Sequence, residues 1–169
     1  AALDAQRAGL VGVSLCVGVG RAAYIPLAHV AAVGGGDLFG DKAASDVTEP
    51  VAGQIPLKEA IATLKPLLED PGTLKIGQNI KYDLSVLARY GIAVAPFDDT
   101  MLISYVLDAG KGAHGMDELA RRHLGHQPIT FSDVAGTGRA KVTFDRVALD
   151  KATAYAAEDA DVTLRLWRM

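Results

Sequence analysis

The sequence predicts an α/β domain built on a mixed sheet, and three observations carry that prediction. Two apolar, β-branched stretches near the start flank a Gly20-Arg21 turn and read as a hairpin. After them, helix-period segments alternate with short extended ones. Polar residues collect where strands hand over to helices, which is where open α/β sheets bind ligands. At 169 residues the chain has the size of one domain, 1–169, with room for a real core, and 50% hydrophobic content with a mean hydropathy of +0.19 argues against disorder.

Each element follows from its local pattern. Leu10 to Val19 reads as the first strand and Ala22 to Val30 as the second, with Pro26 marking a sheet edge or bulge. From Ala31 to Pro56 the pattern dissolves into glycine, alanine and scattered acids, including Gly34-Gly35-Gly36. That triplet lacks both the Lys-Ser/Thr ending of a P-loop and the spacing of a dinucleotide fingerprint, so the segment reads as a mobile surface loop. Leu57, Ile61, Leu64 and Leu68 then fall on one helical face, and Pro66 is expected to bend or shorten that helix. Leu74 to Asn79 is a short strand running into a polar junction, and Ile80 to Tyr90 is a helix closed by Gly91. Ile92-Ala93-Val94 and Phe97 make another strand, and Met101 to Leu107 the next helix, capped by Asp99 or Thr100. Met116 to Leu124 is helical and ends at Gly125; Ile129-Thr130-Phe131 is extended. Gly136 to Lys141 is a flexible basic loop, and Asp145 to Met169 is largely helical.

Composition excludes several classes of function. A formal charge of −3 provides no broad basic footprint for gripping a duplex through its phosphates, so any charge for nucleic acid must be local or supplied by metal. Cys16 stands alone in an apolar run, which rules out an internal disulfide framework and a cysteine-rich zinc site. No apolar run has the length to span a bilayer, and the N-terminus lacks the pattern of a signal peptide, so a reducing, cytoplasmic setting without a membrane partner is expected. The start Ala1-Ala2-Leu3-Asp4, without methionine, suggests a processed product or a piece of something longer.

The candidate chemistry lies in Asp83, Asp99, Tyr155 and Asp159. On a helix Tyr155 and Asp159 stand at i and i+4, so a phenol and a carboxylate point at the same spot, with small alanines between them. Asn79 and Asp83 sit four apart at a strand-to-helix corner. Carboxylates with neither cysteines nor paired histidines suit magnesium or manganese. Two such ions, roughly 3.5 to 4 Å apart, can activate a water and stabilise a leaving oxygen in phosphodiester hydrolysis. The same residues also admit a purely structural reading, with Asn79 as a helix cap, Asp83 on the helix dipole and the Tyr155 helix carrying a solvated acidic face. Spacing alone leaves both open.

Resemblance weighs toward chemistry. Gly77-Gln78-Asn79-Ile80-Lys81-Tyr82-Asp83 resembles the second motif of the DEDDy 3′-5′ exonuclease domain of family-A DNA polymerases, and Tyr155-x-x-x-Asp159 within YAAEDADVT resembles the third. Phe97 to Met101, His114-Gly115-Met116-Asp117, and Ile129-Thr130-Phe131 through Ala135-Gly136 match in the same order, and the similarity is close to the proofreading domain of the bacterial DNA polymerase I family. It covers nearly the whole chain outside Ala31 to Pro56.

This resemblance implies a ribonuclease-H-like fold and two-metal removal of nucleotides from a 3′ end, with Mg²⁺ or Mn²⁺ as cofactor. Asp159 would ligate one ion directly and Asp83 the second, through water, while Tyr155 would position the attacking water. Gln78, Asn79 and Tyr82 would line the site for the terminal nucleotides. Met116 and Phe131 would contact the single-stranded 3′ end of DNA, and Leu3 would wedge between its last bases. A polymerase domain in the same parent chain and a bacterial, nucleoid-associated location are also implied.

Two departures from the family pattern stand out. The family's first motif, an Asp-x-Glu on the central strand of the sheet, is expected just ahead of Leu3-Asp4, so the chain as given would lack that strand and two carboxylates, bind metal poorly and hydrolyse little. Ala113 precedes His114 where the family can carry a phosphate-binding arginine; Lys111 is a possible substitute. Two other functions stay open: an inactive exonuclease-like module that braces a polymerase or docks DNA, and a related 3′-5′ exoribonuclease.

Overall fold

The computed structural model describes residues 4–32 and 48–169. In chain order these form strands β1 (Gly12–Gly18), β2 (Arg21–Pro26), β3 (Val30–Ala32) and β4 (Thr48–Pro50), helix α1 (Leu57–Glu69), strand β5 (Lys75–Gly77), helix α2 (Lys81–Ala88) and strand β6 (Phe97–Asp99). Helices α3 (Thr100–Leu107), α4 (Met116–Leu119), α5 (Phe131–Ala135) and α6 (Leu149–Trp167) complete the mixed α/β architecture.

Strands β1 and β2 form the predicted hairpin, antiparallel, with Val13 opposite Ile25 and Ser14 opposite Tyr24. Alternation along a strand then puts Val13, Leu15 and Ile25 on one face and Tyr24 on the other. The first face packs against Leu64 and Leu68 of α1 together with Ile92. Tyr24 joins the cluster of Ala135, Val147 and Ala152, on the side covered by α6. The hairpin is thus held between two helices, and Asp161 of α6 pins its turn by accepting a 2.6 Å hydrogen bond from the Gly20 N–H. Strands β5 and β6 form a separate parallel ladder, with Gly77 opposite Asp99, and α6 reaches this ladder as well.

Several elements differ from the sequence expectation. The segment read as loop from Ala31 to Pro56 contains β4, paired antiparallel with β3, so Val30 and Ala31 belong to a second short ladder and not to the end of β2. The remainder of that call, including Gly34-Gly35-Gly36, lies outside the described residues. Pro66 does not end α1, which continues to Glu69. The only backbone hydrogen bond a proline must forgo is its own N–H, and Leu64 and Leu68 on either side of it are both buried. Ile92 to Val94 is not a strand; Ile92 is a core residue in the connection to β6. Phe131 is not extended but opens α5, because Thr130 accepts from the Asp133 N–H while Asp133 reaches back to the Thr130 N–H, a capping box. Helix α4 runs on as a π-helical turn, Ala120–Leu124, and stops at Gly125, whose φ of 60° is left-handed.

Candidate active site

The first half of the site is the corner between β5 and α2. Asp99, at the end of β6, is 6% exposed and uses its carboxylate on three backbone N–H groups: Asn79 (2.9 Å), Ile80 (3.0 Å) and Met101 (2.9 Å). It therefore caps α3, as the sequence suggested, and also ties down the start of α2. A side chain at Gly77 would collide with Ile80, so glycine is needed where the strand turns. Asn79 is not the helix cap; Ile80 takes that position without a side-chain cap, and Asn79 adopts φ 54° with its side chain exposed. A left-handed, non-glycine residue is costly and persists where its surroundings hold it, here through Asp99.

Asn79 and Tyr82 line a shallow cavity of about 290 Å³ with Asp4, Ala5, Lys81 and Ser85. Gln78 points inward: its amide donates to the His114 carbonyl at 2.9 Å and accepts from the Thr100 hydroxyl, so it braces the corner from behind. Asp83 keeps open surface, yet the dense protein around its carboxylate desolvates it, and with the charge of Asp99 this outweighs a hydrogen bond from its own backbone and pushes its pKa up to about 6.

The second half is on α6. Burial, above all, pushes the Asp159 carboxyl up to about 7; the charges of Asp117 and Glu158 act in the same direction, and the hydrogen bond donated by Tyr155 opposes them. Among the described residues Asp159 Oδ1 is buried without a hydrogen-bond partner. Burial also raises the Tyr155 phenol, with Asp159 and Asp117 adding to the shift, so it stays protonated. Phe131 and Phe144 stand edge-on to Tyr155 with ring centroids at 6.2 and 5.9 Å. Met116 docks on the same helix, its sulfur accepting from the Thr163 hydroxyl at 3.6 Å.

The structure therefore brings Tyr155, Asp159, Phe131 and Met116 around α6, and Gln78, Asn79, Tyr82 and Asp83 around the β5–α2 corner. Leu3 lies outside the described residues. Asp117 and Glu158 are neighbours to which the sequence gave no place in the site, whereas Asp99, grouped by the sequence with the candidate carboxylates, is engaged by three backbone N–H groups. Glu158 holds the chain ahead of α5, accepting from the Ile129 N–H at 2.6 Å and pairing with His126 at 2.9 Å. Asp117 occupies the first turn of α4, where an acid reads as a helix-dipole residue.

An orphaned carboxylate oxygen on an oxygen-only donor set fits a hard cation at Asp159. Among the described residues, however, no three of His, Cys, Asp or Glu converge to hold one. Two carboxyls with raised pKa values also make stability depend on pH. In the folded chain Asp83 and Asp159 keep protons that the unfolded chain releases near 3.8. Their stabilisation is full below that value and is lost as pH rises through about 6 and about 7. In chelator, thermal melting should fall between pH 4 and 7.5, and the Asp83→Asn/Asp159→Asn double variant should flatten that fall; an unchanged profile would count against the shifts.

The family model described as 3′-5′ exonuclease matches residues 39–169. DNA polymerase I of Rhizobium leguminosarum is 56% identical over 98% of this chain and 16% of its own length, and that of Pseudomonas aeruginosa 47% identical over 97% and 16%. DNA polymerase I of Chloroflexus aurantiacus is 31% identical over 97% of the chain and 15% of its own. The chain thus spans about one sixth of the length of these relatives. A solved structure described as the apo form of the nuclease superposes with a TM-score of 0.60 at 21% identity, covering 95% of this chain and 65% of that one, a likeness of fold. With the family model matching well over half of its length, this chain belongs to the 3′-5′ exonuclease family.

Proposed function

We propose that this chain is the 3′-5′ exonuclease domain of a bacterial DNA polymerase I, removing nucleotides from single-stranded 3′ ends of DNA during proofreading. The observation that carries the proposal is the Tyr155–Asp159 pair, a protonated phenol donating to a buried carboxylate whose other oxygen is left over for a cation. The fold is read as ribonuclease-H-like. In that reading a central strand would bridge the β1–β2 hairpin and the β5–β6 ladder, which are separate and both lie against α6.

Asp159 and Asp83 would hold Mg²⁺ or Mn²⁺. Such ions supply charge stabilisation to the attacking and leaving oxygens of the phosphodiester. The Tyr155 hydroxyl, fixed by Asp159, orients the attacking water. Phe131, at the exposed start of α5, gives the unpaired strand a ring to stack on, worth roughly 1 to 3 kcal/mol per base without reading sequence. Asn79 and Tyr82 contribute polar edges to the terminal nucleotide beside the cavity they line, with Met116 on the α6 side and Leu3 as the wedge. The rest of the polymerase is the expected covalent neighbour. Helix α3 exposes Leu102, Tyr105, Val106 and Leu107, an apolar surface suited to packing against another domain. No described helix is long and apolar enough to cross a membrane, and a cytoplasmic, nucleoid-associated location follows from the proposed activity.

The test uses the full-length parent protein and a labelled single-stranded oligonucleotide with magnesium. Shortening from the 3′ end, lost in chelator, supports the proposal. Binding without hydrolysis would turn it into a docking module, and faster turnover of matched RNA would make it an exoribonuclease. In the same assay Tyr155→Phe should lower kcat about 10- to 100-fold with KM little changed, because the phenol acts on the water and not on the strand. A change confined to KM would move Tyr155 from chemistry to binding.

A further inference from the structure

We propose that Lys141 is a substrate-binding residue whose ammonium takes a backbone phosphate of the strand that stacks on Phe131. The inference rests on reading the domain as a nuclease of single-stranded ends. Lys141 Nζ stands 5.6 Å over the Phe131 ring. The lysine is exposed and has no carboxylate partner among the described residues.

Its position is built and not incidental. The loop after α5 is closed by a 2.8 Å hydrogen bond from the Val142 N–H to the carbonyl of Ala135, the last residue of the helix, which brings the chain back against α5 at the residue following Lys141. Gly136 allows the closure with a φ of 75°, where a side chain would also press on the Ala140 carbonyl.

Charge argues in the same direction. Asp117 and Asp159 bear on Tyr155, whose ring is 6.2 Å from Phe131, and Glu158 bears on Asp159, so a polyanion entering here meets carboxylates. The chain as a whole carries −3. Lys141 is the cation that the structure places on the stacking platform itself. A base seated at ordinary contact distance, about 3.5 Å, on the ring face beneath the ammonium would occupy its space. The lysine must then swing aside, and its flexible stem lets the charge move from the ring to the phosphate of the incoming strand. The aromatic contact stores the ammonium beside the place where it is needed.

The 169-residue chain and its Lys141→Ala, Lys141→Arg and Lys58→Ala variants are titrated against a fluorescein-labelled single-stranded oligothymidylate across a salt series. Magnesium is present and a 3′ phosphorothioate blocks hydrolysis. Lys141→Ala should bind several-fold more weakly at low salt and reduce the slope of log affinity against log salt by about 0.7, the share of one phosphate contact. Lys141→Arg should keep the wild-type slope, Lys58→Ala should match wild type in both respects, and all should melt at the wild-type temperature. A Lys141→Ala slope equal to that of wild type would overturn this inference alone. Failure of the wild-type chain to bind the strand would also overturn this inference, while the nuclease reading stands or falls on hydrolysis by the full-length parent.

Discussion

Asp159→Ala in the full-length parent is expected to lower 3′-end hydrolysis by about 10³-fold, corresponding to about 4 kcal/mol of transition-state stabilisation. The carboxylate has two tasks. It fixes the Tyr155 hydroxyl through one oxygen, while the other, buried Oδ1, has no hydrogen-bond partner among the described residues. A buried acceptor without a partner is a standing cost that a structural role would not require. Removing it should relieve the fold even as it ends the chemistry, so melting in chelator should stay level or rise. Single-turnover hydrolysis and melting measured on the same variant check both parts. A fall in melting temperature with activity preserved would assign Asp159 to the scaffold.

Asp99→Ala should have the opposite profile, a loss of stability of about 3 kcal/mol. One carboxylate, 6% exposed, serves three N–H groups, and those of Ile80 and Met101 begin separate helices. In urea the midpoint should fall by roughly 1 to 2 M with the slope unchanged. Asp99→Asn, which keeps one acceptor, should recover part of the loss. Asp98→Ala, removing only an exposed acceptor for the Trp167 indole, is the neighbouring control and should cost under about 1 kcal/mol. Equal effects at the two positions would show that the three hydrogen bonds do not decide the corner. Asn79 should relax from its left-handed conformation in Asp99→Ala, so binding of single strands should weaken too.

The long amphipathic elements were legible because periodicity over a dozen residues averages out local exceptions. Helix α1, helix α6 and the first hairpin lie close to where their patterns put them. Three-residue strands carry no such redundancy. Thr48–Pro50 hides in a glycine- and alanine-rich background, and Ile129-Thr130-Phe131 has the composition of a strand. The available clue there was Thr130 followed three residues later by Asp133, a capping-box spacing that marks a helix start. In the site, the motif runs named the residues with distinctive spacing. Asp99 and Thr100 were visible as cap candidates, but that Asp99 also holds Asn79 and Ile80 is a tertiary fact linking positions about twenty apart. Glu158 and Asp117 were inside quoted runs, and what they do depends on the chain segments that face them.

One feature of the architecture ties these effects together. Helix α6 touches β1, β2, β5, α3, α4 and α5, while among the described residues the three ladders do not pair with one another. Amide exchange should therefore be slowest along the inward side of α6, near Ala156 and Val162, and the β1–β2 hairpin and the β5–β6 ladder should open with it and not independently. Asp159 lies between those two residues. In this part of the chain scaffold and candidate site are not separate: thermal motion that would loosen the Asp159 carboxylate has to disturb the axle on which the hairpin and the parallel ladder both turn.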